Sequence, residues 1–153
     1  EVDLFIDYAK NLIDFTNVRT LLRAKKQEKD VEFFRHVIVP GGNIKESIYL
    51  DLLNKDISSD TEIFKRLGIY KYIKDALDDF KDKGNLSNFE KEMDNYFIDL
   101  IKDVKYITYG PEVIFANALA KEMEIKNLRI ILVSKLNGLS SEFIREKLRD
   151  SYV

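Results

Sequence analysis

The phrase NVRTLLRAK, residues 17–25, returns near the other end of the chain as NLRIILVSK, residues 127–135. Both copies read Asn-x-Arg-x-x-Leu-x-x-Lys, and they stand 110 positions apart. The same shift, without gaps, also pairs EFFR at 32–35 with EFIR at 142–145. A repeat of this length indicates a duplicated domain rather than a short solenoid unit.

The apolar residues around the phrase repeat at the same shift. The paired positions are Phe5 and Phe115, Ile13 and Met123, Phe15 and Ile125, Val18 and Leu128, Leu21 and Ile131, and Leu22 and Leu132. At about 100° per residue, the last four pairs form a stripe along one side of a helix. We therefore expect a long helix, a stop and a short helix to recur in this order, with the stripe buried in both copies.

Three polar positions border or approach this stripe in each copy. The asparagine lies at one edge, the arginine lies at the other, and the lysine lies one turn from the helix end. An amide can bond neighbouring backbone, a guanidinium offers five donors, and an ammonium suits a helix C-terminus. The candidate structural or interface residues are therefore Asn17, Arg19, Lys25, Asn127, Arg129 and Lys135. We expect them to hold helices together, and direct contact with a partner is the alternative.

Helical periodicity covers nearly the whole chain, which is interrupted by only two prolines and six glycines. In the first half of the chain we predict a long helix over 2–29, a short helix after the N-cap Asp30, a helix from about residue 44 and a short helix opened by the capping-box sequence SDTE at 59–62. In the second half we predict a helix that ends at Gly84, a helix capped by Ser87, a helix from Pro111 towards Asn137 and a helix after the cap Ser140. The segment LRIILVSKL is β-branched enough for a strand, but its spacing favours a helix. The predicted fold class is all-α, a helical bundle of long and short amphipathic helices from an internally duplicated multi-domain protein.

Composition excludes several classes of protein. The 153 residues carry 25 basic and 27 acidic side chains, so net charge gives no general attraction to nucleic acid. No apolar run approaches the length of a membrane span. The absence of cysteine removes disulfide and thiolate chemistry and is consistent with a reducing compartment. The first residue is Glu1 rather than Met, so we expect an internal segment of a longer protein.

No group of residues in the sequence forms a recognisable catalytic constellation. His36 is the only histidine, and with Glu32 one turn before it the pair is too small for a metal site. The turn PGG at 40–42 lacks the Lys-Ser/Thr of a phosphate loop. The carboxylates within 75–79 and 90–94 have lysine neighbours, and we expect them on solvated helix faces. We therefore predict no catalytic, metal-binding or cofactor-binding residues and no cofactor.

The densest positive feature is a basic run at Arg19, Arg23, Lys25, Lys26 and Lys29. Positive charge is favourable near a helix C-terminus, which is where this run falls. The same run could instead meet an acidic partner.

Three stretches of the sequence resemble one known family. LIDFTNVRTLLRAKK, VIVPGGNI and, most specifically, YGPEVIFANALAKEMEIKNLRIILVSKLNGLSSEFIREKLRDSYV are similar to the C subunit of V-type (archaeal and bacterial A/V-type) ATP synthases, whose equivalent in eukaryotic V-ATPases is the d subunit. The closing stretch, 109–153, carries the family's GPE turn and its KLNG run. The first 45 or so residues match moderately, and the middle matches only as helical spacing.

The resemblance implies more than the residues do by themselves. Family members are all-helical, about twice this length, and built from three similar domains. Residues 1–39 would then be the C-terminal helices of one repeat domain and 40–153 the last repeat domain. The implied function is that of a non-catalytic central-stalk subunit, which couples the rotating shaft to the membrane rotor ring for proton or sodium ion transport.

The same resemblance implies a location and a set of partners. The protein would lie on the cytoplasmic side of the membrane in a peripheral rotary assembly, with shaft and ring subunits as partners and no nucleic acid. The segment could also self-associate through an exposed domain interface. Two other hypotheses remain: a free-standing helical adaptor for other proteins, and a hydrolase that uses carboxylates in a deep cleft.

Overall fold

The structure is a computed structural model that describes residues 2–57, 62–65 and 68–152. The helices are α1 (Val2–Lys26), α2 (Val31–Val37), α3 (Glu46–Leu53), α4 (Glu62–Lys65), α5 (Tyr70–Lys83), α6 (Ser87–Ile101), α7 (Pro111–Leu136) and α8 (Ser141–Lys147), with a 3₁₀ turn at Lys102–Tyr106. The described residues contain no strand, so the all-α prediction is confirmed. Ser59, Asp60 and Thr61 of the SDTE capping box lie outside the described residues, and so do the two chain ends, Glu1 and Val153.

Most predicted helix ends are where the sequence indicated. The side chains of Asp30 and Ser140 accept the backbone N–H of Phe33 and Phe143, at 2.8 Å and 3.2 Å, so both N-caps are confirmed. Two predictions differ in detail. Helix α1 ends at Lys26 rather than at residue 29, and Ser87 is the first residue of α6 rather than its cap.

The start of α6 has a simple cause. The Asn85 side chain accepts the Ser87 N–H at 2.8 Å, so the capping oxygen comes from two residues earlier. Asparagine side chains commonly satisfy backbone donors two positions further along the chain. The predicted helix therefore exists, and only the residue that opens it was misassigned.

Residues 1–89 form one compact unit. Helix α1 packs against α2 and α3, and the ring of Phe89 meets that of Phe15 edge to face at 6.0 Å between centroids. The fully buried large side chains of this unit are Phe15, Leu21, Leu22, Phe34, Tyr49, Leu52, Phe64, Ile73, Leu77 and Phe89. The unit is therefore held together by an apolar core, to which α1 contributes Phe15, Leu21 and Leu22.

Residues 90–153 form the second compact unit, and its boundary falls inside α6. Helix α7 packs against α8 and against the 3₁₀ turn. The buried apolar residues of this second unit are Phe97, Ile98, Ile101, Val104, Ala116, Leu119, Ala120, Met123 and Ile144. Among the described residues, no helix combines the length and the apolar character that crossing a bilayer requires.

Helices α1 and α2 recur as α7 and α8 in the structure as well as in the sequence. The bounds of α8 are those of α2 shifted by 110 positions, and so are the two N-caps. The turn between the helices recurs too: Lys29 N donates to Ala24 O at 2.9 Å, and Leu139 N donates to Ser134 O at 3.0 Å. The duplication is therefore preserved down to individual backbone hydrogen bonds.

Candidate functional site

The two repeated asparagines perform the same task in the two copies. The Asn17 amide donates to Val39 O at 2.8 Å and accepts from Val39 N at 2.9 Å. The Asn127 amide donates to Arg149 O at 3.1 Å and accepts from Arg149 N at 2.9 Å. We call these two paired contacts the first clasp and the second clasp. Each clasp ties the segment that follows a short helix back to the preceding long helix.

The second clasp is reinforced by α6. Arg149 Nε donates to Asp94 Oδ2 at 3.0 Å, and Asp150 N donates to Asn95 Oδ1 at 2.9 Å. Lys126 Nζ also donates to Asp94 Oδ1 at 2.9 Å. The chain after α8 is therefore fixed to two helices at once.

Asp94 corrects one sequence-based expectation. Its side chain is buried and pairs with two cations, so it does not lie on a solvated helix face. Burial alone would lower the pKa of Lys126, but the hydrogen bond and charge of Asp94 outweigh it and raise that pKa. The lysines near Asp94 in the sequence led to the expectation of a solvated face. The sequence alone does not reveal that Lys126 and Arg149, far along the chain, contact this carboxylate.

A second buried carboxylate, Asp14, was missed by the sequence analysis. It accepts hydrogen bonds from the backbone N–H groups of Asn43 and Ile44, at 2.9 Å and 3.1 Å, and from the Tyr49 hydroxyl at 3.1 Å. A Cβ on Gly42 would lie 2.2 Å from Asp14 Oδ1, so this close approach requires glycine. A usable signal was the position of Asp14 between two apolar residues of α1.

Tyr49 completes this buried cluster. Burial first, and then the charge of Asp14, raise the pKa of the Tyr49 hydroxyl well above its ordinary value. The hydroxyl therefore stays a hydrogen-bond donor to Asp14 over the whole neutral range. Together with the first clasp, the cluster fixes the VPGGN turn on α1.

The predicted arginines are placed differently from the asparagines. Arg19 is half-buried and Arg129 is exposed. Among the described residues, neither guanidinium has a hydrogen bond or an ion pair. No contact among the described residues therefore supports the expectation that these arginines hold helices together. The alternative, direct contact with a partner, remains for both.

The predicted lysines divide between two situations. Lys25 Nζ donates to the carbonyl oxygens of Leu52 and Leu53, at 3.3 Å and 2.7 Å, and to that of Lys55, so it closes the C-terminus of α3. Burial lowers the pKa of Lys25, and the charge of Asp56 partly opposes this. Lys135, at the equivalent position of α7, is exposed and has no hydrogen bond or ion pair among the described residues.

The two apolar stripes also differ. The α1 stripe, made of Phe15, Val18, Leu21 and Leu22, is 0% exposed at every position. The α7 stripe consists of the equivalent residues Ile125, Leu128, Ile131 and Leu132. Its members are 52%, 57% and 61% exposed at positions 125, 128 and 132, and position 131 is half-buried. The prediction that both stripes are buried is therefore wrong for the second copy, since no described residue covers α7 as α3 covers α1.

Two surface cavities do not assemble paired acids. One, of about 380 Å³, lies beside the VPGGN turn, and Glu46 is the only carboxylate among the described residues that line it. The other, of about 530 Å³, is lined by basic and neutral residues around Gly84. His36 lies at the end of α2 with Nδ1 at 2.7 Å from Glu32 O, and the described residues contain no group of three potential metal ligands.

Known proteins match this chain over most of its length. A protein-family model described as ATP synthase (C/AC39) subunit matches residues 2–147. The C subunit of the V-type sodium ATPase of Enterococcus hirae is 27% identical over 140 residues, which cover 92% of this chain and 42% of that protein. The C subunit of the A-type ATP synthase of Thermoplasma volcanium is 31% identical over 150 residues, covering 97% of this chain and 41% of that protein.

These matches cover the chain far more fully than they cover its relatives. The chain spans about two fifths of the length of these curated proteins. No solved structure matches the chain. The family match, which includes the asparagines of both clasps and both stripes, covers nearly all of the described residues. The chain therefore belongs to the ATP synthase (C/AC39) subunit family.

Proposed function

We propose that this protein is a non-catalytic central-stalk subunit of a V/A-type ATP synthase or ATPase, and that it couples the rotating shaft to the membrane rotor ring. The observation that carries the proposal is the family match over residues 2–147. Coupling of this kind serves proton or sodium ion transport, on the cytoplasmic side of the membrane. Residues 1–39 would end one repeat domain, and 40–153 would form the next.

The internal contacts support a role in transmitting force. A coupling body must keep its shape under torque, and close-packed helices with fixed connections resist deformation. Here each turn after a short helix is bonded to the preceding long helix through Asn17 or Asn127. The clusters at Asp14 and Asp94 add further buried polar bonds to the same turns. Such contacts restrict bending between successive helices.

A depletion experiment tests the proposal directly. Membrane vesicles from a host that lacks the full polypeptide should hydrolyse ATP in the soluble sector but pump few ions, because the shaft would no longer turn the ring. Adding back the wild-type polypeptide should restore ATP-driven ion transport. Transport would be followed with a pH-sensitive dye or with radioactive sodium, and hydrolysis by phosphate release.

Two controls sharpen that experiment. His36→Ala alters the only histidine and should restore transport as fully as the wild type, because the proposed role needs no side-chain chemistry. Vesicles that pump at the wild-type rate without the protein would contradict the proposal. So would isolation of a tagged protein with partners that belong to no ATPase, which is the outcome that the adaptor hypothesis predicts.

A further inference from the structure

The carboxylate of Glu112, in the first turn of α7, is buried without a partner among the described residues. The side chain is 4% exposed, and its Oε1 is fully buried and accepts no hydrogen bond. Asp14 and Asp94, which are also buried, each accept from several donors. A buried charge without a partner is unfavourable, because it has lost its hydration and gained no bond in exchange. Buried polar groups in native proteins nearly always have a partner, so this carboxylate calls for one.

The Glu112 carboxylate lies against the turn that leads into α7. Gly110 in this turn is half-exposed and has a φ of 137°, a conformation that favours glycine. A Cβ at this position would lie 2.6 Å from Glu112 Oε2, so any other side chain here would cover the carboxylate. Rotation of the terminal carboxylate group is soft and exchanges its two oxygens. A donor that approaches past Gly110 can therefore bond to either oxygen.

Exposed aromatic side chains lie just before this carboxylate in the chain. Tyr106 and Tyr109 are 78% and 85% exposed, and Ile107 is 44% exposed. We call these three side chains and the Glu112 carboxylate the 106–112 surface. Tyrosine is enriched in interfaces between proteins, since its ring is apolar and its hydroxyl tolerates water before assembly. Aromatic faces also attract cations, and Lys105 Nζ already lies 5.3 Å from the centre of the Tyr106 ring.

We propose that the 106–112 surface binds another subunit of the ATPase, and that a lysine or arginine of that subunit donates to the Glu112 carboxylate. Charge complementarity selects a cation, because the buried group that lacks a partner is an anion. The composition of the surface selects a separate protein. Permanent contacts are mostly apolar, as in the α1 stripe, whereas this surface is rich in tyrosine. The inference rests on the proposed function, since it takes its partner from that assembly.

The absence of cysteine makes a labelling test clean. Tyr109→Cys is introduced into the full-length polypeptide that contains this chain, and its rate of maleimide labelling is measured with and without vesicles from the host that lacks the polypeptide. We expect labelling to be at least about tenfold slower on the vesicles, since the contact must open first. In the free full-length polypeptide, position 109 should label as fast as in the 153-residue chain.

Glu112→Gln tests the carboxylate itself, because it removes the charge and keeps the size of the side chain. The dissociation constant of the full-length polypeptide from the vesicles, measured by co-sedimentation, should rise about tenfold or more, since the cation of the partner is left without its anion. The melting temperature should not fall, because the lost charge has no partner among the described residues. Glu124→Gln, on the same helix, is the matched control. Glu124 is exposed and already pairs with Lys121, so binding should not change.

Several outcomes would overturn the inference. Equal labelling of position 109 with and without vesicles would mean that no other subunit covers the surface. Slow labelling in the free full-length polypeptide would assign the surface to the same polypeptide, and labelling that slows as its concentration rises would assign it to a second copy. Wild-type binding by Glu112→Gln, with or without a lower melting temperature, would leave the carboxylate without a role in docking. If the wild-type polypeptide itself did not bind the vesicles, the coupling role would fail, so the two failures are distinguishable.

Discussion

The helix pair α1–α2 and its counterpart α7–α8 have nearly the same local structure but different surroundings. The clasps, the turns and the N-caps coincide at a shift of 110 positions. The apolar stripes do not, because that of α1 is fully buried and that of α7 is largely exposed. Some contacts are therefore made by the residues of the repeat itself, and others require neighbouring parts of the protein. Polar bonds within the repeat are intrinsic, and burial of its stripe depends on a covering helix.

The largest expected effect tests this separation directly. Leu22→Ala should lower the free energy of unfolding by about 3 kcal/mol, because it opens a cavity in a fully packed site. Leu132→Ala, at the equivalent exposed site, should lower it by less than about 0.5 kcal/mol. Urea denaturation followed by circular dichroism measures both. Similar losses for the two variants would show that the α7 stripe is already buried in this chain.

The clasps are expected to be closer in energy than the stripes. Asn17→Ala should cost about 2 kcal/mol, because the buried Asn17 amide is lost and both the N–H and the carbonyl of Val39 lose their partner. Asn127→Ala should cost about 1 kcal/mol, because the second clasp is half-buried and water can replace the amide. Hydrogen exchange at the Val39 and Arg149 amides measures each loss locally. If either variant left its amide protected, that clasp would not hold the turn.

The helices of the repeat could be predicted from the sequence because the residues that define them act on near neighbours in the chain. Asp30 and Ser140 cap their helices through contacts only three residues away, and helical spacing is visible in any short window. Even the edge position of Asn17 was predictable. The contacts of Asp14 and Asp94 were not, because their partners lie about 30 residues or more away. The exposure of the α7 stripe was hidden for the same reason, because the burial of a stripe depends on contacts with distant parts of the chain, which helical spacing does not reveal.

The Asp14–Tyr49 cluster belongs to the first copy alone and gives a pH-dependent test. The folded protein holds the Tyr49 proton to a higher pH than the unfolded chain does. The resulting stability is fully present below about pH 10, the ordinary tyrosine pKa, and is lost above it at up to about 1.4 kcal/mol per pH unit. Tyr49→Phe should flatten this alkaline decline of the free energy of unfolding, measured between pH 9 and 11. The exposed Tyr106→Phe is the matched control, and an identical slope in both variants would contradict the cause.

The smallest effect concerns the residue two positions after the end of each long helix. Glu28 and Gly138 occupy equivalent positions, and both have a left-handed backbone, with φ of 52° and 68°. Such a conformation costs a residue with a Cβ about 1 kcal/mol, and glycine adopts it freely. Glu28→Gly should therefore raise the free energy of unfolding by up to about 1 kcal/mol, and Gly138→Ala should lower it by a similar amount. Urea denaturation of the two variants measures both signs. If Glu28→Gly destabilised the protein, the glutamate side chain would have to make a compensating contact, and the two turns would be alike in shape but not in energy.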